Sequence, residues 1–435
     1  MTDLQIGGAG IAVLILLLLI RVPVGIALGS VSLVGIYILL GLKPALGIIT
    51  AVPYELVAHW TLSSVPMFLL MGYVCYYANL TEGLFRLARL WLSALPGGLA
   101  IASVWGAAGF SAVTGSSVAC AAAMGRIAVP EMMKAKYDKG LAAGSVAAAG
   151  TIGSLIPPSI LLLIFGIFAE VPIGKLFIGG FLPGLLTALM FVLMIYVRVR
   201  ITPKLAPSVH EEVSWRERFT AFYETWPVIL LVIGVFGGLF GGIFTPTEAG
   251  AVGAALSIVI AFLKGDLNWP RLRDATSEAM QSTAAIFIIA IGANLLTRFL
   301  AFAGVSDFLA EMVLAEGISQ LELILGISVV FLVLGMFLDP LGIMLLTLPI
   351  FLPVVESLDI NLIWFGILIV KYLEIGLITP PVGLNVFVIK GIVGDAIKTE
   401  VIFKGILWFV VADLITLALL IGFPEITLLL PEWLY

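Results

Sequence analysis

The chain has 435 residues, 61% of them hydrophobic and 11% charged, with a mean hydropathy of +1.19. Soluble globular domains carry about 25% charged residues, so this composition excludes one and requires a polytopic all-α membrane protein. The net charge of −5 decides little, because the placement of charge sets orientation. Cys75 and Cys120 lie in apolar segments and make no disulfide framework.

A spanning helix needs roughly 20 apolar residues, and about ten stretches qualify. Spans are predicted at 5–20, 24–42 and 62–79, followed by an amphipathic stretch at 81–95, TEGLFRLARLWLSAL. Residues 98–129 hold two apolar pieces, each too short to cross, around the small polar centre 111–117. A re-entrant hairpin fits them. A helix over 141–170 is interrupted by IGSLIPPS, and a span follows at 176–197. The polar linker 198–226 joins the two halves. The second half repeats the order. It has spans at 227–242, 246–264 and 281–300, an amphipathic stretch at 303–317 and a hairpin over 320–355. A helix over 361–393 interrupted by IGLITPPVG and a span at 402–423 complete it.

The landmarks share one offset. Gly153 and Gly376, Pro157 and Pro380, Ser116 and Asp339, and Pro23 and Pro246 each stand 223 residues apart. An internal duplication follows, with copies over 1–197 and 227–435. Each copy makes five crossings plus a hairpin that returns to its own side, so the second copy is inverted. Basic residues favour the inner side. With the N-terminus outside, Arg21, Arg86, Arg89, Arg126, Lys134, Lys264, Lys390 and the linker fall inside. Glu55, Glu170, Asp307, Glu356 and Glu425 fall outside.

Proline removes a backbone donor and clashes with the preceding turn, and an unmet carbonyl in hydrocarbon costs several kcal/mol. Two matched breaks therefore expose carbonyls at one half-helix end, fit for a cation, and amides at the other, fit for an anion. The hairpin tips, 111–117 and 335–340, are expected to meet these breaks near the midplane. Their hard oxygen ligands, without sulfur, suit Na⁺ or H⁺ over a transition metal.

Several side chains stay open between two readings. Asp339 either ligates an ion or caps the half-helix that begins at Pro340. Lys371 and Glu374 lie inside a membrane segment, where function is the default; their i, i+3 spacing equally allows a local ion pair. Asn294 and Arg298 either line the site or anchor their helix. Glu248 is explained by the dipole of the helix it opens, and Asp413 is expected to meet a partner helix. His59 and His210 are isolated, and no HExxH, GxSxG or GxxxxGK[ST] occurs. An intramembrane enzyme would need Asp339 and Glu374 in one cleft, whereas the duplication pairs Asp339 with Ser116. A passive channel needs no such hairpins.

Five segments carry a family resemblance: AVTGSSVACAAAMG, GTIGSLIPPSI, IFTPTEAGAVGA, GMFLDPLGIMLLTLPIFLPV and LITPPVGLNVFVIKG. On them the chain resembles the large membrane subunit of a tripartite ATP-independent periplasmic (TRAP) transporter, over almost its full length. The resemblance implies an elevator-type transporter in the bacterial inner membrane. It implies Na⁺-coupled import of an organic acid such as a C4-dicarboxylate or sialic acid. The implied partners are a four-helix small membrane subunit on a separate chain and a periplasmic substrate-binding protein, with no nucleic acid. One implied Na⁺ site lies at Ser116, Gly153 and Pro157. A second lies at Gly335, Asp339, Gly376, Thr379 and Val382. Substrate is expected between the tips, near Ser117, Ser154 and Asn385. The amphipathic stretches become surface arms that join a moving hairpin domain to a fixed scaffold. Both termini are then periplasmic and the linker cytoplasmic. The nearest alternative is a stand-alone Na⁺- or H⁺-coupled anion symporter of the same superfamily, without a binding protein.

Overall fold

The computed structural model describes residues 1–207 and 214–434; His210 and the rest of 208–213 in the linker lie outside the described residues. The described residues are all-helical, without a strand. The first half runs α1 (Asp3–Leu19), α2 (Val24–Leu40), α3 (Leu42–Val57), α4 (Ser64–Tyr77) and α5 (Glu82–Leu92). It continues with α6 (Gly98–Thr114), α7 (Ser117–Lys134), α8 (Lys139–Gly150), α9 (Ile160–Phe168) and α10 (Ile173–Ile201). The short α11 (Trp215–Glu224) leads into α12 (Trp226–Phe240), α13 (Pro246–Leu263), α14 (Trp269–Phe302) and α15 (Val305–Ala315). The chain ends with α16 (Gln320–Gly335), α17 (Pro340–Ser357), α18 (Leu362–Gly376), α19 (Leu384–Val393), α20 (Thr399–Gly422) and α21 (Glu425–Leu434).

The offset of 223 residues reaches the element bounds. α5 and α15 both begin and end that far apart, and so do α7 and α17. One region departs from it. α3 and α4 meet at a 55° bend around the 3-10 turn Trp60–Ser63, whereas the corresponding stretch is the single 34-residue α14. Pro53 and Pro66 explain the difference, since Thr276 and Ile289 stand at those places in α14. The sequence reading gave a span at 62–79 and missed α3, whose Lys43, Glu55 and proline interrupt the apolar run.

Among the described residues, α10, α13, α14, α17 and α20 are each long and apolar enough to cross a membrane. The bent pairs α3–α4 and α11–α12 add up to two further spans. α14 packs on α2 and α4, and α13 packs on α4 and α12. α8 lies between α7 and α20, and α18 packs on α16 and α10. Two apolar cores result; one is centred on α6–α8 with parts of α10, α19 and α20.

The arm helix α5 places Glu82 in its first turn and Arg89 in its last, which complements the helix dipole, and it buries Phe85. Arg86 bonds Glu224 of α11 at 2.8 Å, and Arg89 bonds Glu131 of α7 at 3.0 Å. The arm is thus tied to the linker on one side and to the hairpin α6–α7 on the other. Glu248 forms a capping box with Thr245, whose Oγ1 donates to it at 2.9 Å.

Candidate ion and substrate site

The first tip is shaped by a glycine. α6 ends at Thr114, and Gly115 takes a left-handed φ of 62° that stops the helix. Ser116 is extended and caps α7, its Oγ accepting from the Ala119 N–H at 3.4 Å. The facing break begins where α8 tightens into a 3-10 turn, Thr151–Ser154. Pro157 and Pro158, joined by a cis bond, cannot donate to the carbonyls of Gly153 and Ser154. Ser159 then restarts the helix, its Oγ capping the Leu162 N–H at 3.1 Å. Tip and break touch through their backbones. The Ile160 N–H donates to Gly115 O at 3.4 Å. A Cβ on Gly153 would lie 2.9 Å from Ser117 Cα and 3.0 Å from Ser116 O.

The second tip and break follow the same plan with other residues. Asp339 is extended and caps α17, its Oδ1 accepting from the Gly342 N–H at 2.9 Å. α18 stops at Gly376 before a second cis Pro380–Pro381 bond, and Gly383, with φ 58°, opens α19. The carbonyl of Leu377, which Pro381 cannot serve, accepts instead from the Asn385 N–H at 3.1 Å. That of Gly376 accepts from the Thr379 N–H at 3.1 Å. Thr379 Oγ1 donates back to Ile375 O at 2.6 Å. A Cβ on Gly376 would lie 2.6 Å from Gly335 Cα and 2.8 Å from Gly335 O. Ser116 and Gly153 are therefore neighbours, as are Gly335 and Gly376. Pro157 is buried, and Val382 is half-buried on the loop of the second break.

The expected substrate residues also converge. Ser117 Oγ donates to Glu374 Oε2 at 2.6 Å and lies 2.9 Å from Ser154 Oγ. A serine has one hydroxyl proton, so Ser154 donates to Ser117. Asn385 is buried, and its Nδ2 donates to Ala147 O at 3.2 Å. Its amide and the Ser117 carbonyl both border Gly150, where a Cβ would stand 3.1 Å from Asn385 Nδ2 and from Ser117 O.

The charges inside α18 divide in a way spacing did not show. Glu374 reaches the first hairpin, and Lys371 does not pair with it. Lys371 Nζ bonds Asp413 of α20, and donates to Thr187 Oγ1 of α10 at 3.1 Å. The partner helix of Asp413 is therefore α18. Thr187 was not singled out, because nothing local distinguishes a threonine in an apolar helix. Arg298 pairs with Glu55 at 3.0 Å, and Asn294 lines a cavity.

Three cavities surround this core. A cleft of about 460 Å³ reaches Thr114 and Ser116 and is walled by Tyr73, Tyr76, Tyr77 and Glu278. Arg126 closes one end, its guanidinium 5.6 Å from the Tyr76 ring centre. Arg126 also borders a cleft of about 710 Å³ lined by Arg86, Arg89, Lys134 and Lys264. The third cavity, about 930 Å³, includes Glu55, His59, Glu170 and Asn294. It adjoins the α12–α13 connection, and the basic cleft adjoins the α11–α12 connection, so the two lie at opposite ends of α12.

Comparison with known proteins places this architecture. Residues 11–426 match the family described as "Tripartite ATP-independent periplasmic transporter, DctM component". The chain is 35% identical over 383 residues to the C4-dicarboxylate TRAP transporter large permease protein of Pseudomonas aeruginosa, covering 88% of each chain. It is 32% identical to the sialic acid TRAP transporter large permease protein of Vibrio cholerae, covering 86% of this chain and 87% of that one. In fold it resembles the YdaH transporter of Alcanivorax borkumensis, with a TM-score of 0.61 and 14% identity over 89% of this chain and 90% of that one. MtrF of Neisseria gonorrhoeae is similar at a TM-score of 0.61 and 15% identity, covering 88% and 85%. These relatives are transporter permeases and not enzymes. The chain belongs to the DctM family, the large multi-pass membrane component of tripartite ATP-independent periplasmic transporters.

Proposed function

We propose that this permease imports an organic acid anion together with Na⁺, the anion being handed over by a periplasmic binding protein. The observation that carries the reading is the matched pair of tip–break crossings, each packed backbone to backbone. Na⁺ occupies the first crossing at Ser116, Gly153 and Pro157, and the second at Gly335, Asp339, Gly376, Thr379 and Val382. Tightly placed carbonyls with hard side-chain oxygens are ligands for such an ion. Substrate lies between the tips at Ser117, Ser154 and Asn385. The named relatives transport C4-dicarboxylates and sialic acid, and a carboxylate of that class is the cargo here.

The two copies are inverted, so α6–α7 and α16–α17 enter as re-entrant hairpins from opposite faces of the bacterial inner membrane. The hairpins and broken helices move as one elevator body against a scaffold that docks a small membrane subunit, with α5 and α15 as arms. Both termini are periplasmic and the linker is cytoplasmic. The clefts joined at Arg126 connect Ser116 to the basic, cytoplasmic side, so the conformation described is inward-open.

Thermal unfolding of the purified chain across Na⁺, at constant ionic strength against choline, tests the coupling. A ligand that binds only the folded state adds about 2.7 kcal/mol at a hundredfold excess over Kd. A saturable, Na⁺-specific rise that shrinks in Ser116→Ala supports the reading; a flat response sinks it. Uptake into proteoliposomes that needs no binding protein would favour a stand-alone symporter instead.

A further inference from the structure

Among the described residues, the fully buried charged side chains are Lys371, Glu374 and Asp413. Their charges do not cancel, because one ammonium faces two carboxylates. The Lys371–Asp413 pair is closed on itself, with Thr187 taking another ammonium proton. Glu374 is left with neutral neighbours, Ser117 and Ser154. The charged groups that bear on it are Lys371 and Asp413 and no other described residue. One negative charge is therefore unbalanced in the interior of a membrane protein, where such a charge is costly unless paired.

Two orphaned atoms mark where the compensation belongs. Glu374 Oε1 is buried without a hydrogen-bond partner, and so is Asn385 Oδ1. Both are acceptors. The amide of Asn385 borders the Ser117 carbonyl across Gly150, and Glu374 holds the Ser117 hydroxyl. A carboxylate, a carboxamide oxygen and serine oxygens form a hard ligand set of the kind an alkali cation takes.

We infer that Glu374 is the charged ligand of a further Na⁺ site, separate from the two tip–break crossings, with Asn385 Oδ1 as a neutral ligand beside it. This deepens the proposed Na⁺ coupling and rests on it. The two crossings offer carbonyls and hydroxyls, and Asp339 there is engaged as a helix cap. The Glu374 site differs in that a full, deeply buried carboxylate holds the ion. It also bonds directly to Ser117, so the ion orders a residue of the substrate region while bound to a helix of the opposite half of the chain.

The test counts ions. Equilibrium binding of radioactive Na⁺ to the purified full chain in detergent is measured per chain for the wild type and for Glu374→Gln. The expected result is one Na⁺ more in the wild type than the two crossings supply, and one fewer in Glu374→Gln than in the wild type. Glu374→Asp keeps the charge and is expected to keep the count with weakened affinity. Equal counts in the wild type and Glu374→Gln, as a bound proton would give, overturn the inference while leaving Na⁺ coupling intact. Absence of Na⁺ binding in the wild type overturns both. If Glu374→Gln fails to fold, the wild-type count decides, and two ions or fewer per chain reject the site.

Discussion

The two tip–break crossings have one geometry and two chemistries. The first is held by side chains as well as backbone: Ser116 caps, Ser117 bonds Glu374, and Ser154 bonds Ser117. At the second, the hydroxyl of Thr379 and the carboxylate of Asp339 bond only within their own segments. Contact across the second crossing comes from Gly335 against Gly376, with no room for a Cβ. The polar inventory is divided the other way. Lys371, Glu374 and Asp413 belong to the second copy, and Ala148, Thr151 and Met190 stand at the corresponding places of the first. The second copy thus supplies the charge that the first hairpin uses. A duplicated scaffold keeps its backbone plan while its two sites diverge in what they ask of side chains.

Removing one member of the buried pair tests that division most severely. Lys371→Met leaves Asp413 buried and unpaired, and is expected to destabilise the protein by about 3–5 kcal/mol. Lys371→Met with Asp413→Leu is expected to recover most of that loss in thermal unfolding. Equal damage from both variants would show that the pair is not closed on itself. Next comes the glycine contact. Gly376→Ala forces a Cβ into the Gly335 backbone and is expected to cost about 1–3 kcal/mol, with a weakened Na⁺-dependent rise in melting temperature. Ser117→Ala removes a hydrogen bond to a charged group and is expected to cost about 1.5–3 kcal/mol. Uptake should fall in this variant more than stability accounts for. The smallest effect belongs to the periphery. Arg86 and Glu224 are 55% and 39% exposed, and Arg86→Ala is expected to cost less than about 1 kcal/mol.

What the sequence made legible was local. Paired prolines announce a break because they lack donors, and Ser116 and Asp339 announce caps because short polar side chains reach the following amides. The offset of 223 residues reproduced the bounds of α5 and α15 because both copies carry the same start and stop signals. The missing parts were tertiary. Glu374 and Ser117 are 257 positions apart, and Lys371 and Asp413 are 42 apart. Burial in an apolar segment says that a charge needs a partner without saying which one. The i, i+3 spacing of Lys371 and Glu374 pointed to each other, and helix packing sent them to different neighbours.

The bent α3–α4 and the straight α14 have a mechanical consequence. At about 1.5 Å per residue, α14 is about 51 Å long, well beyond the roughly 30 Å of hydrocarbon in a bilayer. Its surplus lies at the polar first turns, with Arg271, Arg273, Asp274 and Glu278. Tyr73 bonds Ser282 at 2.8 Å and Tyr77 bonds Glu278 at 2.5 Å, fastening the last turns of α4 along this rod. Tyr73, Tyr77 and Glu278 also wall the cleft that reaches Ser116. One side of the passage is therefore splinted, and any widening for cargo falls to the hairpin side, which slides past a fixed rail.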